Sequence, residues 1–295
     1  MTQNHYIIDK DARYSFSNHT DFCIGSGRLS LALRKEYQNQ LRLVQQEIGF
    51  KYIRAHSIFG DDIGIYHEYT DESGTTKIEY NFTYLDMIMD FYQEIHIKPF
   101  LELGFMPYDL ASGDQLMFFW LGNVTPPKDY TRWTDLVKHT LLHLCNRYGL
   151  SEVLTWPIEI WNEPNIACFW GDGDLSEYFK LYRETYRIIK DIDSRFIVGG
   201  PACSDSNQYE WVHDFLTLCI REDVKPDYVS IHQYTITPPI MDGHYGYPTL
   251  IGLEEVNTTI SEVTTMIKSF EEFRTTPIYI TEFNTAYQCQ CPSHD

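Results

Sequence analysis

Several features that are scarce or absent exclude whole classes of protein. No run of about 18 apolar residues occurs in the 295-residue chain, so the sequence offers no candidate for a membrane-spanning helix. Basic residues are few, with 23 Lys and Arg against 42 Asp and Glu, which gives a formal net charge of −19. Nucleic acids and anionic membranes bind basic surfaces, so neither is an expected partner. The first residues lack a basic segment followed by an apolar one, and we therefore expect a cytoplasmic protein.

The seven cysteines give no indication of a disulfide framework or a zinc site. They are scattered and odd in number, which favours free thiols in a reducing compartment. Cys289 and Cys291 are too close together for a zinc knuckle and have no second pair. The adjacent carboxylates of Asp61 and Asp62 point in different directions, so we interpret them as part of a structural loop. We expect no metal and no cofactor.

Short apolar runs alternate with longer amphipathic segments along the chain. Apolar residues make up 43% of the sequence, which is enough for a large core. The predicted strands are Phe22–Gly25, Tyr52–His56, Pro99–Phe105, Pro157–Trp161, Phe196–Gly199, Tyr228–Tyr234 and Ile278–Phe283. The predicted helices, whose apolar residues recur at spacings of three, four and seven, are Leu29–Ile48, Phe82–Ile95, Thr131–Tyr148, Leu175–Ile192, Tyr209–Arg221 and Leu253–Phe273.

Strands that alternate with helices predict a parallel sheet of the α/β class. An open nucleotide-binding sheet would have a glycine-rich phosphate loop after its first strand. The segment Gly25-Ser26-Gly27 lacks the third glycine of that fingerprint. We therefore predict a (β/α)8 TIM barrel.

Only seven strands can be counted. The segment after Glu282 is short, mostly polar and contains Pro292, so it cannot supply a last helix and an eighth strand. Either the count is off by one, or the barrel is truncated after its seventh strand because the chain is a fragment of a longer protein. We favour the second explanation and expect a single catalytic barrel domain over residues 1–295.

Two glutamates end predicted strands that are otherwise largely apolar. Glu163 follows the fourth strand and Glu282 lies at the end of the seventh. A carboxyl group is costly in such a place unless it has a partner or a function, and barrel enzymes carry their reacting groups at these strand ends. Two facing carboxyl groups suit hydrolysis of a glycosidic bond, in which one protonates the leaving oxygen and the other attacks the anomeric carbon.

Several segments resemble glycoside hydrolase family 39, the β-xylosidases in particular, over nearly the whole chain. They are Gly25-Ser26-Gly27-Arg28, Phe50-Lys51-Tyr52-Ile53-Arg54, Asp61-Asp62-Ile63-Gly64-Ile65-Tyr66, Glu102-Leu103-Gly104-Phe105-Met106-Pro107, Gly122-Asn123-Val124-Thr125-Pro126-Pro127-Lys128, Glu159-Ile160-Trp161-Asn162-Glu163-Pro164-Asn165, Gly199-Gly200-Pro201 and Thr281-Glu282-Phe283-Asn284. The Asn-Glu-Pro tripeptide alone marks only a larger clan of barrel enzymes with catalytic glutamates on strands four and seven. The combination with the other segments is specific to the family.

The resemblance implies a role for individual residues. Glu163 would be the general acid/base and Glu282 the nucleophile, with Arg54 close to the nucleophile and Asn162 bonded to the sugar 2-hydroxyl. The residues that it places around the substrate are Asn162, His56, Arg54, His232, Tyr234, Phe169 and Tyr287. Members of the family continue through an eighth strand and a β-sandwich domain, and we expect residues 1–295 to contain neither.

Other interpretations of these residues remain open. His232 is compatible with a hydrogen-bonded core histidine, Arg54 with a structural ion pair, and the three aromatic residues with core packing. The cluster Phe118-Phe119-Trp120 is either one wall of the sugar site or a buried loop anchor.

The predicted function is a retaining exo-glycosidase that hydrolyses β-1,4-xylosidic bonds at the non-reducing ends of xylo-oligosaccharides. One alternative is an inactive barrel fragment or sugar-binding remnant. The other is an iduronidase-like or other β-glycosidase of the same family, for which a basic pocket would be expected. The expected partner is a xylo-oligosaccharide or another β-glycoside, and the sequence does not indicate an oligomeric state.

Overall fold

The computed structural model describes residues 10–11, 13, 19–237, 240–242 and 245–286. The strands are β1 (Cys23–Arg28), β2 (Tyr52–His56), β3 (Tyr66–Thr70), β4 (Thr76–Tyr80), β5 (Lys98–Leu103), β6 (Leu116–Met117), β7 (Gly122–Asn123), β8 (Ile158–Ile160), β9 (Val198–Cys203), β10 (Tyr228–Tyr234), β11 (Ile240–Asp242), β12 (Tyr245–Tyr247) and β13 (Ile278–Asn284). The α-helices are α1 (Lys35–Glu47), α2 (Thr83–Glu94), α3 (Tyr130–Tyr148), α4 (Leu150–Val153), α5 (Leu175–Ile192), α6 (Gln208–Arg221) and α7 (Leu253–Ser269).

Seven of these strands form one parallel sheet in the order β1-β2-β5-β8-β9-β10-β13. The order follows the chain, as it does in a barrel built from successive βα units. Within the described residues β1 and β13 do not pair, so the sheet is nearly closed but keeps two edges. The prediction of an α/β barrel is confirmed, and the described residues supply seven parallel strands of it.

Burial along the strands reflects their position in the sheet. All residues of β8 and β9 are buried, whereas β13 leaves Ile280 40% and Phe283 65% exposed. A strand with a neighbour on one side only has no second partner to cover it. The seventh strand is therefore the least protected part of the sheet, and it carries Glu282.

Acidic residues cap the first turns of two helices. Asp129 accepts hydrogen bonds from the first backbone N–H groups of α3, and Asp174 does the same for α5. These caps satisfy amide groups that have no partner within the helix. In the described residues no helix is long and apolar enough to cross a membrane.

Two predicted helices are interrupted in the structure. The predicted helix Leu29–Ile48 is a 3-10 turn followed by α1, because Arg34 between them has an extended backbone (φ −85°, ψ 131°). The predicted helix Leu253–Phe273 ends at Ser269, where extended Phe270 precedes another 3-10 turn. In both cases the apolar spacing continues through the break, so periodicity alone does not reveal it.

The hairpin of β3 and β4 was not predicted. It pairs in antiparallel register outside the main sheet, from Tyr66 opposite Tyr80 to Thr70 opposite Thr76. In its turn Asp71 accepts hydrogen bonds from two backbone N–H groups, and Gly74 takes a positive φ of 79°. The Asp and Gly of this turn were the available sequence signal.

Candidate active site

The two candidate glutamates converge at one end of the barrel. Glu163 follows β8, the fourth strand of the sheet, and Glu282 belongs to β13, the seventh. One carboxylate oxygen of each, together with a ring nitrogen of His232, lie within 4.8 Å of one another. Both carboxyl groups therefore face the same space, as the sequence interpretation required.

Glu163 is held by a turn with an unusual backbone. Trp161 and Glu163 have φ values of 72° and 46°, a left-handed region that non-glycine residues rarely adopt. The Glu163 N–H donates to the Ala202 carbonyl at 3.0 Å, and the Trp161 indole donates to the Phe169 carbonyl at 2.7 Å. Such conformations persist only where their surroundings fix them, and they are common at functional sites.

Glu282 is surrounded by donors. Arg54 Nη1 donates to its Oε1 at 2.9 Å, and His56 Nε2 lies 3.4 Å from the same oxygen. The Tyr234 hydroxyl donates to Oε2 at 2.6 Å, and His232 Nδ1 lies 3.6 Å from it. Each oxygen of this carboxylate thus has two cationic or polar neighbours.

These partners keep Glu282 ionised. Burial alone raises the pKa of its carboxyl group, but His232, Arg54 and His56 lower it, and the Tyr234 hydrogen bond adds to their effect. The net result is a pKa well below the ordinary value for glutamate. A carboxylate that remains deprotonated is suited to act as a nucleophile.

His232 links the two glutamates. It is completely buried, and its Nδ1 lies 2.9 Å from Glu163 Oε1. Burial lowers the pKa of this imidazole, but the Glu282 and Glu163 carboxylates raise it, so that the pKa lies above the usual value. When protonated, an imidazole between two carboxyl groups reduces the repulsion between them.

Arg54 is the centre of a buried network. Its Nε donates to Glu159 at 2.7 Å, and its Nη2 donates to Asn162 Oδ1 at 2.9 Å and lies 3.2 Å from Glu102. Burial lowers its pKa, but Glu159, Glu102 and Glu282 raise it well above the ordinary value. The planar guanidinium group suits this task because it offers several donors in fixed directions.

His56 is oriented by Glu102. Its Nδ1 makes a short hydrogen bond to Glu102 Oε2, which leaves Nε2 toward Glu282. Burial lowers the pKa of His56, but the Glu102 carboxylate raises it, and the net pKa lies above the ordinary value for histidine. Burial raises the pKa of Glu102, but His56 lowers it, and the net pKa lies below the ordinary value for glutamate. The two directions agree, and they describe an ion pair beside Glu282.

Aromatic residues form one wall beside these charges. Phe118 packs against His56 and Phe169, with ring centroids 6.2 and 5.3 Å apart, and Trp120 stacks on Phe118 at 4.2 Å. Phe119 points outward and is 84% exposed. The cluster Phe118-Phe119-Trp120 therefore does not have a single role. Phe118 borders the site, whereas Phe119 does not anchor the loop.

Asp61 and Asp62 make structural contacts in different directions. Asp61 accepts from the Tyr108 N–H at 3.2 Å, and Asp62 accepts from the Ser30 hydroxyl at 2.6 Å. Among the described residues, the group whose ligand atoms are spaced for a metal ion consists of Glu163, His232 and Glu282. The cationic Arg54 next to Glu282 opposes binding of a metal ion there.

A cavity of about 980 Å³ lies between the edges of the sheet. It is lined by β1 and β13 and extends to Arg54, His56, Tyr234 and Glu282. The Glu282 side chain remains 20% exposed, compared with 10% for Glu163. The candidate site is therefore open on the side where the sheet is incomplete.

Comparison with known proteins identifies the family. The family model described as "Glycosyl hydrolases family 39" matches residues 7–295. The chain belongs to this family. The resemblance predicted from the sequence segments is confirmed.

Similar members of family 39 are β-xylosidases. The chain is 46% identical to a β-xylosidase of Geobacillus stearothermophilus over 98% of its own length, and 37% identical to one of Caldicellulosiruptor saccharolyticus over 92%. It spans 57% and 54% of these two relatives, about half their length. The crystal structure of a monomeric β-xylosidase from Caulobacter crescentus CB15 matches with a TM-score of 0.84 at 36% identity, covering 91% of this chain and 53% of that one.

Eight of the nine candidate residues lie around one space in this family 39 chain. They are Arg54, His56, Asn162, Glu163, Phe169, His232, Tyr234 and Glu282. The ninth, Tyr287, lies outside the described residues. Sequence reasoning assigned no role to Glu102, Glu159 and Thr281, although a charged residue within an apolar strand was the same signal that led to Glu163.

Proposed function

We propose that the protein is a retaining exo-β-xylosidase in which Glu163 is the general acid/base and Glu282 the nucleophile. The observation that carries the proposal is the approach of these two carboxyl groups to within 4.8 Å around His232. Retaining glycosidases place their carboxyl groups about 5–5.5 Å apart, whereas inverting enzymes need a wider gap for a water molecule. Family membership and the β-xylosidase relatives support xylose as the sugar.

In the first step, the ionised Glu282 attacks the anomeric carbon while protonated Glu163 donates its proton to the leaving oxygen. The bond to the leaving group breaks, and a covalent xylosyl ester forms on Glu282. Arg54 and His56 keep Glu282 deprotonated until the attack, and Tyr234 fixes its second oxygen.

In the second step, Glu163 acts as a base. It removes a proton from a water molecule, which attacks the anomeric carbon and releases Glu282 and xylose with the original configuration. The contact of His232 Nδ1 with Glu163 Oε1 holds this carboxyl group in place during the step.

Asn162 is suited to the role that the resemblance implies. Because Arg54 donates to its Oδ1, the amide is oriented with its NH2 group as the free donor. A hydrogen bond from this group to the sugar 2-hydroxyl would strengthen as the ring flattens in the transition state. The exo mode rests on the relatives, which are β-xylosidases.

Covalent labelling tests the nucleophile. A 2-fluoroxyloside with a good leaving group is expected to trap the ester on Glu282, located by mass spectrometry of peptides. Glu262→Gln, at an exposed position on α7, is the control and should label at the wild-type rate. Label on any other carboxylate would refute the assignment.

Azide rescue tests the acid/base. Glu163→Ala should slow the cleavage of substrates with poor leaving groups most, and azide should restore turnover of an activated aryl xyloside. The reason is that a good leaving group needs no proton, while azide can enter the space left by the carboxylate. If poor and good leaving groups are slowed equally and azide has no effect, Glu163 is not the acid/base.

A sugar-binding remnant is the second candidate, and the open edge of the sheet favours it. The cavity between β1 and β13 leaves one side of Glu282 uncovered, and a site open to water stabilises a transition state less well. Xylobiose binding measured by calorimetry, with no release of xylose, would support this alternative over the enzyme.

An iduronidase-like specificity has less support. It would need a cation free to bind a substrate carboxylate, and the cations described at the site, Arg54, His56 and His232, are each paired with a glutamate. Turnover of an aryl iduronide faster than the xyloside would reverse this preference.

A further inference from the structure

Glu159 is a buried acid that the proposed mechanism does not use. It lies in β8 between two isoleucines and is 0% exposed. A carboxylate in such surroundings is unfavourable unless its oxygens are paired. The hydrogen bonds of its two oxygens indicate its role.

The two oxygens of Glu159 connect two other strands. Oε2 accepts a hydrogen bond from Arg54 Nε of β2 at 2.7 Å, and Oε1 accepts from the Thr281 hydroxyl of β13 at 2.9 Å. Both partners adjoin the candidate nucleophile, since Thr281 precedes Glu282 in sequence and Arg54 donates to it.

The backbone of β13 is irregular at this point. Ile231 of β10 pairs with Ile280, but the next residue, His232, pairs with Glu282. Thr281 is therefore the extra residue of a β-bulge, in which one residue has no counterpart on the neighbouring strand. Bulges change the direction in which the following side chain points.

The bulge explains how two consecutive residues both reach the barrel interior. In a regular strand Thr281 and Glu282 would point to opposite faces. Here Thr281 contacts Glu159, and Glu282 contacts Arg54. Within the described residues β13 is an edge strand, so on its other side no paired strand holds the bulge in place.

We propose that Glu159 is a positioning residue, which fixes the bulge at Thr281 and thereby the direction of Glu282. It does so by accepting hydrogen bonds from Thr281 and Arg54 at once, which joins β2, β8 and β13 beneath the site. The inference rests on the proposed role of Glu282 as nucleophile.

Thr281→Val tests the contact with least disturbance, because it exchanges a hydroxyl for a methyl group. The readout is the first-order rate constant for labelling of Glu282 by the 2-fluoroxyloside, which does not depend on the folded fraction. We expect this constant to fall about tenfold, with the inactivator concentration at half-maximal rate nearly unchanged. Thr281→Ser keeps the hydroxyl and should restore most of the rate.

Thr258→Val is the matched control. The Thr258 hydroxyl on α7 donates to the Glu254 carbonyl at 2.8 Å. Thr258→Val therefore makes the same chemical change as Thr281→Val and also removes one hydrogen bond, but away from the site. Its labelling rate should equal that of the wild type.

Glu159→Gln tests the carboxylate itself. If Glu159 acts through Thr281, adding Thr281→Val to Glu159→Gln should slow labelling less than Thr281→Val does in the wild type. Should Glu159→Gln fail to fold, the comparison of Thr281→Val with Thr281→Ser decides the question alone.

The outcomes separate the two proposals. Labelling of wild-type Glu282 with an unchanged rate in Thr281→Val, or a Thr281→Ser variant as slow as Thr281→Val, overturns the positioning role only. A wild-type protein that is not labelled, or is labelled on another residue, overturns the nucleophile assignment and the inference with it.

Discussion

Replacing Arg54 by methionine should destabilise the fold, and the size of the loss follows from its partners. Arg54 is 3% exposed, and its guanidinium nitrogens lie 2.7–3.2 Å from Glu159, Glu282 and Glu102. Methionine is of similar length and fills the space, but it leaves buried Glu159 without its cationic partner and removes one such partner from Glu102 and from Glu282. Removing one partner of a buried ion pair costs about 3–5 kcal/mol, which corresponds to a fall in Tm of roughly 6–20 °C.

The loss should depend on pH in a defined direction. In the wild type the pKa values of Glu102 and Glu282 lie below the ordinary value for glutamate. The stability that they contribute is therefore fully present above a pH of about 4.3, the unfolded value, and is lost as the pH falls below it. The Arg54→Met variant lacks part of this contribution, so the difference from the wild type should be large at pH 7 and shrink in acid.

Urea unfolding followed by circular dichroism between pH 3.5 and about 7.5 is the assay, and it needs no substrate. Arg195→Met is the control, because Arg195 pairs with Asp193 on the surface with its side chain 67% exposed, and its loss should change stability little. An Arg54→Met variant as stable as Arg195→Met, or a loss that does not change with pH, would refute the reasoning.

Three further predictions concern the site and its support. Tyr234→Phe removes the 2.6 Å hydrogen bond that lowers the pKa of Glu282. The acid limb of the pH profile of kcat/KM should therefore move to higher pH, and an unmoved limb would contradict the assignment of Glu282 as the nucleophile. Phe118→Ala should lower kcat/KM for an aryl xyloside about tenfold while the exposed Phe119→Ala does not, and equal effects would exclude Phe118 as a wall of the site. Gly199→Ala should lower the free energy of unfolding, measured with urea, by about 1–3 kcal/mol, because its Cβ would lie 2.4 Å from the Tyr228 ring. Gly25→Ala is the control, since its Cβ meets nothing within 4 Å. Two equally stable variants would show that the Tyr228 ring moves freely.

Much of the fold could be predicted from residue patterns. The strands Tyr52–His56 and Tyr228–Tyr234 have the predicted bounds, because apolar runs of that length can be buried on both faces of a parallel sheet. The break at Arg34 could not be predicted, since it depends on one residue's backbone angles within an uninterrupted apolar pattern. Patterns report which face is buried, and tertiary packing decides where the chain bends.

The candidate site could be predicted only in part. A carboxylate at the end of an apolar strand was a usable signal, and it led to Glu163 and Glu282. What each one contacts was not predictable from the residues, because the partners come from strands far apart in sequence, such as Arg54 and Glu282. The bulge at Thr281 was hidden for another reason, because a one-residue change of register leaves no trace in composition.

The network around Arg54 explains how an incomplete sheet can hold a precise site. Edge strands are usually the least constrained part of a sheet, and β13 is an edge in the described structure. Yet Glu282 on that strand is tied to β2 through Arg54 and to β10 through Tyr234. The Arg54 contact joins strands that are not neighbours in the described sheet, whereas the Tyr234 contact joins β13 to the strand with which it pairs. The arrangement of the charges is therefore fixed by the buried ion pairs, while closure of the sheet governs how far water reaches the nucleophile.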